Sequence, residues 1–173
     1  MSRQVNEWGI LMDKIASFTV DHDALEPGIY ISRTDQIGDR EIITYDIRMT
    51  APNDDIPLEM NGVHTMEHTG ATFLRNHEKY GEDVIYFGPM GCRTGYYLIL
   101  KDTLKGKEVY DLIVETFEYL AEYDGDVPGA TPKDCGNFSD HSQYWAQYHS
   151  RDFLKKLENI TDYSFEYTSF NED

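Results

Sequence analysis

Between residues 41 and 51 apolar and polar side chains alternate, with Ile43, Tyr45, Ile47 and Met49 on one side and Thr44, Asp46, Arg48 and Thr50 on the other. A period of two marks a strand with one face on a core, so this segment predicts a half-buried strand carrying Arg48 on its polar face. Shorter strand candidates cover 28–32, 83–88 and 95–101, the last two separated by the turn-forming Gly88-Pro89-Met90-Gly91. Elsewhere the period lengthens to that of a helix. Val63, Met66, Gly70, Phe73, Leu74 and His77 keep helical spacing through 62–79, and Val109, Leu112, Ile113, Phe117 and Leu120 through 107–123. A third helix is expected after Ser139 or Asp140, either one a suitable N-cap, burying Trp145, Tyr148, Leu154 and Leu157. Tyr163, Phe165 and Tyr167 alternate with polar neighbours, as in one more strand or an ordered extension.

The order strands, helix, strands, helix, helix predicts an α+β fold, a mostly antiparallel sheet with helices packed on one face, and not a regular βαβ series. At 173 residues, with no repeat and no Pro/Gly/Ser linker, a single domain accounts for the chain. No apolar run approaches the roughly 20 residues that cross a bilayer, so no membrane association is expected. The N-terminal MSRQVNEWGILMDK has no continuous apolar stretch and does not read as a secretory signal, which places the protein in the cytoplasm.

Charge narrows the partners. Lys and Arg number 15 against 32 acids, a net charge of −17 spread along the chain, so phosphate backbones are repelled and nucleic-acid binding is not expected. In a reducing compartment the two cysteines, Cys92 and Cys135, read as ligands, nucleophiles or buried thiols and not as a disulfide.

The sharpest local signal is His64-Thr65-Met66-Glu67-His68. Residues i and i+4 stand one above the other on a helix, so His64 and His68 can face one metal ion with Glu67 beside it. With 6 histidines in 173 residues, such a motif arises by chance roughly 0.02 times. A catalytic site of this type needs a third protein ligand and an open fourth position. Cys135, in Lys133-Asp134-Cys135-Gly136-Asn137, is the best candidate, because thiolate suits borderline-soft divalent metals and Gly136 lets the backbone approach. Cys92 lies on the Gly-rich turn Gly91-Cys92-Arg93-Thr94-Gly95, where a thiol beside Arg93 and near a dication is placed to exchange protons. As an isolated cysteine it reads equally well as an inert hairpin residue.

HTMEH, then PMGCRTGYYL, then the Cys135-Gly136 pair, with SFTVDH near the start and DIR at 46–48, resemble the S-ribosylhomocysteine lyases, bacterial enzymes that make the autoinducer precursor. The resemblance runs in order from Ser17 to Leu157. It implies a domain over 17–173 preceded by an extension over 1–16, with His64, His68 and Cys135 as metal ligands and Cys92 and Glu67 as acid/base residues. It further implies that Ser17, His22 and Arg48 line the substrate pocket, and that one divalent metal, iron(II), zinc or cobalt, is held per subunit. The family is homodimeric, with its sites at the interface, and acts on a small-molecule substrate. Where many members have an aspartate and a serine ahead of the proline, this chain has Tyr86 and Gly88, so no polar role passes to those positions.

The implied reaction splits S-ribosylhomocysteine into homocysteine and 4,5-dihydroxy-2,3-pentanedione. Moving the sugar carbonyl from C1 to C3 acidifies the C4 proton, and β-elimination then frees the thiol from C5. Each shift passes through an enediolate, whose charge a dication stabilises while Cys92 and Glu67 carry protons. Two other readings use the same residues. HxxEH is also a metallopeptidase motif, although that class takes a glutamate as third ligand and has no use for Cys135 or the PMGC turn. Alternatively His64, His68, Cys92 and Cys135 close around zinc as a structural His2Cys2 site with no catalysis.

Overall fold

The computed structural model describes residues 20–167, so Ser17, the extension over 1–16 and the last residues of the acidic tail lie outside it. Four strands, β1 (Gly28–Ile37), β2 (Arg40–Arg48), β3 (Val84–Pro89) and β4 (Gly95–Lys101), form an antiparallel sheet in the order β1-β2-β4-β3. Helix α1 (Met60–Arg75) lies between the two hairpins, and α2 (Lys107–Glu122) and α3 (Gln143–Leu157) follow them. The expected α+β class and element order hold.

One sheet face carries Ile43, Tyr45, Ile47, Phe87, Tyr96, Leu98 and Leu100 into a core completed by Val63, Met66 and Leu74 of α1, Val109, Leu112, Ile113 and Phe117 of α2, and Phe153 and Leu157 of α3. Apolar side chains at strand and helix periods meet there, and removing them from water is the main force holding the layers together. α1 and α3 approach closely at Gly62, where an added Cβ would sit 2.6 Å from Cβ of Trp145. A hydrogen bond between the Glu59 carboxylate, at the N-cap of α1, and His149 of α3 joins the same two elements.

Several local expectations change. β1 runs to Ile37 and not to residue 32, because Gly38, at φ +61°, allows a tight turn that returns the chain as β2. Its second half is polar and exposed, so periodicity could not reveal it; the ladder to β2 holds it. α1 stops at Arg75, short of 79: His77 is already beyond its end, where its Nδ1 accepts from the backbone N–H groups of Lys79 and Tyr80. α3 is capped by Ser142, whose hydroxyl accepts from Trp145 N–H, and not by Ser139 or Asp140. That placement leaves Tyr148 exposed and buries Ala146, Ser150 and Phe153 with Leu157. The tail is an ordered extension: Ile31 N–H donates to Phe165 O at 2.7 Å, and Tyr167 stacks on Tyr30 with ring centroids 4.8 Å apart.

Candidate metal centre and its neighbouring thiol

His64 and His68 project from one face of α1, one turn apart, with centroids 4.7 Å apart and rings nearly perpendicular. The segment between α2 and α3 fixes both. His64 Nδ1 donates to Asp140 O at 2.9 Å and His68 Nδ1 donates to Pro128 O at 2.7 Å, so each ring keeps its Nε2 lone pair free. The same segment brings in Cys135, with Sγ 3.4 Å from His64 Nε2. Two donors on one tetrahedral ion, at the usual metal–nitrogen and metal–sulfur lengths, stand about 3.5 Å apart. Two imidazole nitrogens and a thiol, with the outer nitrogens tied to carbonyls, are a donor set suited to one borderline-soft divalent ion.

Among the described residues the group able to hold an ion is His64, His68, Cys135 and His141, with ligand atoms all within 4.8 Å of one another. His141 was not expected from the sequence: it belongs to no spaced motif, and a lone histidine ahead of a helix carries no signal of its own. It stacks on His64 with centroids 4.1 Å apart. Burial first, then neighbouring His64 and His68, lowers its pKa, which favours the neutral ring. Cys92 is outside this group, so the closed His2Cys2 site is not what the fold assembles. No carboxylate joins the group either, contrary to the metallopeptidase pattern. Gly136 plays no part in the approach to the site, since a Cβ there would meet nothing; Gly129, at φ +68°, lies against the His68 ring instead.

A second cluster sits at the end of β2 and in the β3–β4 turn. Arg48 is 3% exposed and Asp46 2% exposed, so the polar face of β2 is buried rather than open to water. Arg48 pairs with Asp46 at 2.5 Å and donates to Thr94 Oγ1 at 2.5 Å, with its Nη1 4.0 Å from Cys92 Sγ. Burial opposes the guanidinium charge, but Asp46, with Cys92 and Tyr167 adding to it, raises the pKa of Arg48. Tyr167 donates its hydroxyl to the same Asp46 oxygen. Cys92 is exposed and lies 3.1 Å from Thr94 Oγ1. Its cationic neighbour is therefore Arg48, while Arg93, expected in that role, reaches toward Leu58 O.

Leu58 N–H donates to Arg93 O at 2.9 Å, which fastens the thiol-bearing turn to the start of α1. Glu67 lies on α1 between the two histidines, close enough to Tyr96 for its charge to help raise that phenol's pKa, after burial. His22 stands in the segment before β1 with its Nδ1 donating to Val20 O; among the described residues no hydrogen bond joins it to either cluster. At the departure from the common pattern, Tyr86 lies over Gly88, where an added Cβ would fall 2.0 Å from the Tyr86 hydroxyl.

Comparison with known proteins agrees with this arrangement. The chain is 50% identical over 151 residues to an S-ribosylhomocysteine lyase of Clostridium acetobutylicum, an alignment covering 87% of this chain and 96% of the relative. It is 48% identical over 157 residues to one of Clostridium beijerinckii, covering 90% and 99%. With one of Borreliella burgdorferi the identity is 44% over 156 residues, again covering 90% and 99%. Residues 15–164 match the family model described as S-Ribosylhomocysteinase (LuxS), and the chain belongs to that family.

Proposed function

We propose that this protein cleaves S-ribosylhomocysteine to homocysteine and 4,5-dihydroxy-2,3-pentanedione, as a carbon–sulfur lyase that uses one divalent metal per subunit. The observation that carries the reading is the convergence of His64, His68 and Cys135, with Cys92 held outside the ligand set as a free thiol next to Arg48. A metal bound by those three residues would supply Lewis-acid stabilisation of the negative charge that builds on the sugar oxygens. The remaining work falls to side chains. Cys92 and Glu67 move protons between sugar carbons and oxygens, and the final proton leaves C4 as the C5–sulfur bond breaks and homocysteine departs as the thiol. The reaction is balanced without water or a redox partner.

Arg48, fixed by Asp46 and Thr94, presents a constant positive charge beside the thiol and is assigned to substrate binding together with Ser17 and His22. Among the described residues His22 has no hydrogen bond to either cluster, and a homodimer, as the family resemblance implies, would let the second subunit complete each pocket. Exposed Met60 at the start of α1 and Tyr144 and Tyr148 in the first half of α3 suit such a contact. The domain is taken to span 17–173. Free Cys92 and Cys135 accord with a reducing cytoplasm, and no helix among the described residues is long and apolar enough to cross a membrane. Iron(II), zinc and cobalt all suit the donors.

The test is direct. Purified protein loaded with each metal in turn is incubated with S-ribosylhomocysteine, and free thiol is measured. Steady thiol release is expected with at least one of the three; no release from protein shown to hold stoichiometric metal would overturn the assignment.

A further inference from the structure

We propose that His141 is a positioning residue of the metal centre, whose Nε2 accepts a hydrogen bond from the O–H of whatever water or sugar hydroxyl occupies the position that His64, His68 and Cys135 leave open. The hydrogen-bond pattern fixes the direction. The Thr65 hydroxyl gives its single proton to Asn61 O at 2.8 Å and accepts from Ser142 N–H at 2.9 Å. Its contact with His141 Nδ1, at 3.3 Å, must therefore be one in which the ring nitrogen donates. That leaves a lone pair on Nε2, an atom shielded from solvent and, among the described residues, without a hydrogen-bond partner. A buried acceptor with nothing to accept from costs about 1–3 kcal/mol, so its retention beside a ligand cluster calls for a partner.

The stack on His64 is what argues for this role over a fourth metal bond. Two imidazoles bound to one tetrahedral ion through one nitrogen each have centroids about 5 Å apart. His64 and His68, at 4.7 Å and 86°, and His68 and His141, at 5.0 Å and 73°, both come near this value. Against His64, however, His141 lies almost flat, at 4.1 Å and 21°, the arrangement of a ring stacked on a ligand. Thr65 on α1 and Ser142 at the cap of α3 hold it there. Its kinetic consequence rests on the lyase reading, but its place at the metal does not.

The experiment uses the full chain loaded with zinc, as wild type, His141→Ala and His141→Gln. Zinc per chain is measured first, together with the histidine nitrogen tautomers by long-range proton–nitrogen NMR. About one zinc in all three proteins is expected, with metal-bound Nε2 at two histidines and an unprotonated, metal-free Nε2 at His141. Turnover of S-ribosylhomocysteine should then show kcat/KM lowered about tenfold in the alanine variant, consistent with the loss of one buried hydrogen bond. Glutamine, which still offers an acceptor oxygen, should recover part of that loss. Zinc lost from both variants, or a metal-bound His141 Nε2, would make it a ligand and overturn the proposal. Wild-type kcat/KM in the alanine variant would overturn it as well. If wild type itself releases no homocysteine, the lyase reading fails, and the zinc and tautomer measurements still decide the placement of His141.

Discussion

Cys92 and Cys135 are chemically identical side chains with different surroundings, and removing each should have a different consequence. Cys135 Sγ is in contact with His64 Nε2, so Cys135→Ala should lose most of the bound metal, as should His64→Ala and His68→Ala. Cys92 makes no part of the ligand group. Cys92→Ala should therefore keep about one metal per chain and an unchanged Tm while abolishing homocysteine release. Elemental analysis and a thiol assay on the same preparations check both expectations; metal loss from Cys92→Ala, or turnover without Cys92, would contradict the role given to it. The motif made His64 and His68 legible in the sequence, since four-residue spacing already determines that two side chains share a helix face. His141 was not legible, because it reaches the site only through the path of residues 123–142. Arg48, and not Arg93, stands beside Cys92 for a related reason: the β2–β4 ladder sets Arg48 opposite Gly95, whereas Arg93, at φ +60°, is turned away.

At the scale of elements, the site depends on the packing of α1 against α3. α1 carries His64, Thr65 and His68, and the cap of α3 carries Ser142 immediately after His141. They approach closely at Gly62, so Gly62→Val should force the helices apart, cost about 2 kcal/mol and lower Tm by about 4–8 °C. Weaker zinc binding should accompany this, because the carbonyl of Asp140 would shift with α3. Gly136→Ala, next to Cys135 but facing open space, should change neither. Thermal unfolding and zinc competition on the two variants make the comparison; equal behaviour of both would show that helix spacing does not govern the centre. The helices and three of the strands were readable from hydrophobic period. The second half of β1 was not, since its exposed polar residues owe their strand conformation to hydrogen bonds with β2.

For the whole molecule, burial of phenols sets an alkaline limit. Tyr45, 1% exposed, has its pKa pushed up to about 12 from 10.0 by burial, and Tyr96 is raised well above the ordinary value by burial and then by Glu67. A raised folded-state pKa means that the fold prefers the neutral phenol. That contribution is complete below about pH 10 and is lost as pH rises toward 12, and Tyr45 alone accounts for about 2–3 kcal/mol. Urea unfolding midpoints should be level from pH 8 to 10 and fall steeply above it; a level midpoint up to pH 12 would show that these phenols do not govern alkaline unfolding. Sedimentation at micromolar concentration should find a dimer, and a fully active monomer would remove the shared-pocket account of His22.

What the sequence determined by itself was everything that depends on neighbours along the chain: the strand and helix periods, the pairing of His64 with His68, the thiol on a Gly-rich turn, and through these the family. Tertiary structure decided what depends on segments far apart. It buried the polar face of β2, where Tyr167 in the tail and Thr94 in the hairpin enclose Asp46 and Arg48. It brought His141 rather than Cys92 beside His64, His68 and Cys135, because the segment between α2 and α3 folds back over α1 while the Cys92 turn is pinned to its start. Local periodicity specifies which face of an element is apolar, but the polar groups that meet across those elements are set by how the faces pack.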